Sequence, residues 1–120
     1  MKPNASLFDP ASASVISLLD STQFSPQGIV SRALINTPGL RVTLFGFAEG
    51  QELTEHASSS RAIIQILSGK SEWSVAGQPM EIAAGEVLHM PAGTRHAVRA
   101  AEPFSMLLTL VKEGGPTRDE

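Results

Sequence analysis

What most restricts this chain is its punctuation. From Ser25-Pro26-Gln27-Gly28 onward, short apolar runs alternate with breaks that carry Gly or Pro. The runs are Ile29–Ile35, Leu40–Phe47, Arg61–Leu67, Ser71–Ala76, Met80–Ala83, Val87–Met90, His96–Ala100 and Phe104–Lys112. Between them stand Asn36-Thr37-Pro38-Gly39, Gly69, Gly77, Gly85 and Pro91-Ala92-Gly93. Gly and Pro supply turn dihedrals that other residues adopt at a cost. Runs this short, recurring about every ten residues, suit an antiparallel sandwich or barrel. A parallel sheet would need a helical crossover after each strand. The expected class is therefore all-β.

One helix is expected ahead of the strands. Asp9-Pro10 reads as N-cap and first helical residue, because proline has no N–H to leave orphaned there. Val15, Ile16, Leu18 and Leu19 then form an apolar stripe that ends near Asp20-Ser21. The organisation that follows is an N-terminal arm with a short helix (1–28), a barrel (29–112) and a loose polar tail (113–120).

Composition narrows the function classes. With 120 residues, 42% hydrophobic and 18% charged, the chain has one domain's length and enough apolar mass for a core. Nine basic against twelve acidic residues, with no run of like charge, argues against a nucleic-acid surface. The absence of cysteine excludes disulfides, thiolate chemistry and zinc ribbons. No apolar run approaches the roughly 20 residues of a membrane span. The first residues lack the continuous apolar region of a signal peptide. A cytoplasmic protein that contacts neither membrane nor nucleic acid is expected.

The three histidines carry the chemistry. His96 closes the segment Gly85-Glu86-Val87-Leu88-His89-Met90-Pro91-Ala92-Gly93-Thr94-Arg95-His96. A strand stopped by proline and turned at a glycine delivers this histidine to the start of the next strand. His56 follows Gly50 by six residues and precedes an apolar strand that ends at Gly69.

These two segments resemble the two motifs of the cupin superfamily. The second motif is G-x5-PxG-x2-H-x3-N, and Gly85, Pro91, Gly93 and His96 fit it at every spacing, with Ala100 at the Asn position. In the first motif, G-x5-HxH-x3,4-E-x6-G, Gly50, His56 and Gly69 are in place. Ser58 stands where the second His belongs and Ala62 where the Glu belongs. The resemblance covers roughly Ile29 to Lys112 and extends to Val42-Thr43-Leu44-Phe45 and Met106-Leu107-Leu108-Thr109. It implies a double-stranded β-helix, the cupin jelly-roll barrel, with a pocket at its mouth. Cupins with intact motifs hold Fe, Mn, Ni, Zn or Cu there through three His and one Glu.

Carried over residue by residue, only His56 and His96 survive as metal ligands. Two readings stay open for the pair: a divalent metal (Zn, Fe, Mn or Ni) completed by water or another donor, or a polar pair that hydrogen-bonds an organic ligand. If position 62 faces the lumen, Ile64 and Ile66 face it too. The expected pocket is lined by His56, His96, Ile64, Ile66 and Met90, with His89 and Arg95 as further candidates. Arg95 at the mouth would suit a carboxylate. Glu49, Gln51, Glu52 and Glu55 crowd the approach to His56 as loop residues. Trp73 and Met106 read as core.

The functional expectation is a small-molecule-binding cupin with an incomplete metal site. The alternative is a metal-dependent oxygenase or isomerase acting on a small polar substrate. A homodimer is expected as well. Both faces of Arg61–Leu67 and Phe104–Lys112 look apolar, as in strands covered on both sides, and the resemblance points the same way.

Overall fold

A computed structural model describes residues 6–113. Most of the expected tail (114–120) and the first five residues of the arm lie outside that range.

Nine strands follow one short helix: α1 Leu18–Ser21, β1 Val30–Thr37, β2 Leu40–Phe47, β3 Glu52–His56, β4 Arg61–Ser68, β5 Lys70–Val75, β6 Gln78–Ala83, β7 Val87–Met90, β8 His96–Arg99 and β9 Phe104–Val111. They pair antiparallel in two sheets, ordered β1-β2-β9-β4-β7 and β3-β8-β5-β6. This is the jelly-roll architecture expected from the strand spacing.

Two elements differ from the sequence reading. The helix is a single turn capped by Ser17, whose hydroxyl accepts from Asp20 N–H at 3.2 Å. Asp9 caps only its own turn, accepting from Ala11 N–H and Ser12 Oγ. Val15 and Leu19 are exposed and Ile16 and Leu18 only half-buried, so the stripe finds too little core to extend the helix. Without burial, a short helix cannot offset its nucleation cost. The second difference is β3, whose sequence Glu52-Leu53-Thr54-Glu55-His56 shows no apolar run.

Cross-strand register stacks the inward side chains of the larger sheet in rows. Phe47 and Phe104 form the first row, stacked at 4.5 Å between ring centroids. Next come Phe45–Met106–Ile66, then Thr43–Leu108–Ile64–Leu88, then Arg41–Leu110–Ala62–Met90. The first rows, with Ile82 and Ala100, plug one end of the barrel. The last row leads to the other end, where β3 and β8 bring their histidines.

Gly69 is the single residue between β4 in one sheet and β5 in the other. Its φ is +77°, and a Cβ there would drive into the Pro103 carbonyl and Phe104. The motif glycine is thus required by both dihedral and space. Gly46 serves the arm: Gln23 crosses directly over it, leaving no room for a side chain. The arm also adds to the β1 edge, where Leu7 N–H donates to the Ala33 carbonyl at 2.8 Å.

Candidate functional site

The open end of the barrel encloses a cavity of about 180 Å³. His56, His96 and Ser58 give it one polar side. Apolar walls come from Ile64, Met90, Trp73, Leu53, Phe45 and Leu110, among others.

His56 reaches the cavity because β3 is bulged. Leu53 pairs with Val98 and His56 with His96, so three steps on β3 match two on β8. The extra residue shifts the alternation, and Leu53 and His56 both face inward. His96 is 8% exposed, while His56 sits at the rim. The two rings lie 4.3 Å apart between centroids, tilted by 57°. Each is oriented by its own chain. His56 Nδ1 lies 2.7 Å from the Thr54 carbonyl oxygen, and His96 Nδ1 lies 2.9 Å from that of Thr94. A carbonyl can only accept, so Nδ1 carries a proton in both rings, and in the neutral imidazoles Nε2 keeps its lone pair.

The loop bearing the proline and second glycine of the later motif is tied to the first. Gly93 N–H donates to the Ser58 carbonyl at 2.7 Å, with Gly93 at φ +88°. That bond holds Ser58 on the cavity wall beside the histidines.

Trp73 belongs to both core and cavity. It is buried, and its indole lies 6.3 Å from the His96 ring between centroids. Its Nε1–H donates to Ser71 Oγ at 2.7 Å, and that hydroxyl donates to the Ile82 carbonyl at 2.8 Å. The relay satisfies a buried indole N–H and fixes the ring. Leu53 and Val98 were not foreseen as wall residues, since the pairing of β3 with β8 becomes readable only once the bulge is known; Phe45 on β2 and Trp73 on β5 were not foreseen either.

Ile64, Met90, His56 and His96 line one cavity, and Ala62 shares its wall. Ile66 is packed in the row beneath Ile64 and lies off the cavity wall. His89 does not join them, because Met90 and Leu88 take the inward positions of β7. Its Nε2 instead lies 2.6 Å from Arg61 Nη1 on the outer face. Arg95 is exposed in the loop before β8, 3.4 Å from Glu55. Gln51 accepts from Ala48 N–H and donates to the Ser25 carbonyl. Among the described residues no carboxylate lines the cavity: Glu52 and Glu55 lie in β3 and Glu49 in the turn before it, all exposed. Among the described residues, no group of three or more His, Cys, Asp or Glu is placed to hold a metal.

The metal that the cupin motifs imply would meet two imidazole nitrogens here. At the other two ligand positions it would meet the Ser58 hydroxyl and the Ala62 methyl, the latter 3% exposed among Met90 and Ile64. Tight sites for divalent first-row metals use three or four protein donors, and a neutral hydroxyl is a poor one. The donor set does not fit a resident metal.

Comparison with known proteins agrees with the fold. Residues 43–111 match the cupin domain family. A conserved protein of unknown function from Streptococcus pyogenes is 32% identical over 92% of this chain and 97% of its own, with a TM-score of 0.81. A cupin 2 conserved barrel domain protein from Leptotrichia buccalis is 34% identical over 81% of this chain and 47% of its own, with a TM-score of 0.76. An RmlC-like cupin from Desulfovibrio desulfuricans is 27% identical over 84% and 98%, with a TM-score of 0.75. No curated protein matches the chain. No helix among the described residues is long and apolar enough to cross a membrane.

Proposed function

Since the chain belongs to the cupin domain family, we propose that it binds a small, largely apolar organic molecule in the barrel mouth and uses the histidine pair as hydrogen-bond acceptors rather than as half of a resident metal site. The observation that carries this reading is Ala62. Where the motif would supply a carboxylate, a buried methyl continues an apolar wall through Leu110 and Met90. A cavity of about 150 Å³ lined by aliphatic and aromatic side chains is known to accept a benzene ring. The cavity here, about 180 Å³, offers similar room plus one polar side.

The pair's chemistry supports the same reading. With both Nδ1–H groups engaged by carbonyls, two Nε2 acceptors remain and no cavity carboxylate answers them. A ligand hydroxyl or a water molecule would satisfy them. A metal-dependent oxygenase or isomerase would instead need exogenous ligands at two of four coordination positions.

Elemental analysis of protein purified without a histidine tag separates the two. Substoichiometric metal, together with a change in Trp73 fluorescence on adding small aromatic alcohols, is the expected result. Near-stoichiometric Fe, Mn, Ni or Zn would overturn the proposal.

A further inference from the structure

Arg41 stands outside the cavity, yet the sheet places it in the cavity's own row. Register runs Asn36–Arg41–Leu110–Ala62–Met90 across β1, β2, β9, β4 and β7. Leu110, Ala62 and Met90 are cavity walls. The Arg41 backbone therefore lies two strand spacings, about 10 Å, from Ala62 on the same face of the sheet.

A second, wider depression opens where the cavity ends. Phe45, Leu108 and Leu110 are walls of both, and Arg32, Arg41 and Asn36 contribute its polar side. Among the described residues its lining holds two arginines and no carboxylate, although the chain carries a net charge of −3.

The arginines differ in what they already hold. Arg32 Nη1 donates to the Ser21 carbonyl at 2.9 Å. Arg61, Arg95 and Arg99 are paired with Glu113, Glu55 and Glu72. Among the described residues, Arg41 alone of the arginines has neither an ion pair nor a hydrogen bond from its side chain. The last row thus ends in a guanidinium with no partner among the described residues, and position 62 of the same row, where the motif would supply a carboxylate, is a methyl.

Resting on the pocket reading above, we infer that the ligand is a small carboxylate with an apolar body of about one ring's size, its body in the histidine cavity and its carboxylate on Arg41. A planar guanidinium matches a carboxylate through two parallel N–H···O bonds. Arg41 is then a specificity-determining residue for anionic over neutral ligands.

The test uses Trp73, the chain's one tryptophan in a protein without tyrosine, as its reporter. Phenylpropionate and the uncharged phenylpropanol present the same ring and nearly the same length. Fluorescence titration of the wild type should show the carboxylate binding about tenfold more tightly, the scale of one charge-assisted pair at a partly wet site. Arg41→Gln should bring phenylpropionate down to the affinity of phenylpropanol and leave phenylpropanol unchanged. Arg41→Lys should keep part of the preference. Because Arg41 is exposed, the melting temperature of both variants should match wild type. Equal affinity for the two probes in wild type, or a preference that survives Arg41→Gln, overturns the carboxylate assignment while leaving the pocket reading intact. If neither probe binds, the pocket reading fails and takes this assignment with it.

Discussion

His56 and His96 are register partners on β3 and β8, and each turns its Nδ1 onto the carbonyl oxygen two residues earlier in the chain, at 2.7 and 2.9 Å. The symmetry has a chemical consequence. Both rings are held in the same tautomer before any ligand arrives, so no reorganisation is needed when a donor meets the Nε2 atoms.

The tautomer is directly observable. Long-range ¹H–¹⁵N correlation spectra recorded with the imidazoles neutral should show Nδ1 protonated and Nε2 bare for both residues. His89 should show the same tautomer for a different reason, since its Nε2 accepts from Arg61. An Nε2–H signature at either His56 or His96 would remove the paired-acceptor description of the cavity.

Much of this site is legible in the sequence, and the parts that are not have identifiable causes. Gly85, Pro91, Gly93 and His96 are spaced by backbone requirements, so their spacing alone predicts the loop that delivers His96. Ala62 and Ile64 follow from strand parity once one of them is placed. His56 is different. Its strand is polar outside Leu53, and a bulge breaks the period-two pattern that would reveal its inward face. The short helix is present and ends at Ser21, but its start was misplaced for the opposite reason: a plausible cap and stripe exist upstream, yet Val15 and Leu19 find no surface to cover them. Arg41 could not be singled out from sequence, because what distinguishes it is which other arginines already have partners.

The end of β9 is fastened by an exposed ion pair. Arg61 Nε lies 2.9 Å from Glu113 Oε2 and its Nη2 lies 3.3 Å from Oε1. These hydrogen bonds, then the charge of Arg61, hold the Glu113 carboxyl below its ordinary range. A carboxyl whose folded-state pKa is depressed stabilises the fold above its unfolded pKa and loses that contribution as pH falls through the folded value. Because both partners are exposed, the effect on stability is small. Carboxyl ¹³C titration should therefore give Glu113 a lower midpoint in wild type than in Arg61→Gln, and any melting-temperature difference between the two should vanish in acid. Coincident midpoints would show that the pair does not form in solution.

We expect the protein to be a homodimer. On the outer face of the larger sheet, Val42, Ile63, Leu107 and Val111 are only partly covered. Val87 on the β7 edge is 58% exposed, and Leu19 and Phe24 of the arm are exposed too. Apolar side chains grouped around an unpaired strand edge favour a second copy as cover. Light scattering should give a mass near twice 12.7 kDa. A concentration-independent monomer would refute the expectation.

The replaced ligand positions allow a direct test of why this cavity departs from the metal-binding pattern. Ala62 and Ser58 both lie on its wall with the two histidines. Ala62→Glu alone sets a carboxylate against Ile64, Met90 and Leu110, where nothing pairs with it. A buried, uncompensated charge costs about 3 kcal/mol or escapes that cost by staying protonated. Adding Ser58→His restores a four-donor set around the same space. A metal that binds only the folded double variant stabilises it by mass action, about 2.7 kcal/mol at one hundred times Kd. Melting temperatures with and without Zn²⁺ or Mn²⁺ should then show no gain for wild type, a depressed value for Ala62→Glu, and recovery with metal for the double variant. If the double variant gains nothing from either metal, the four positions do not converge on one point, and the two substitutions have not simply erased a coordination site.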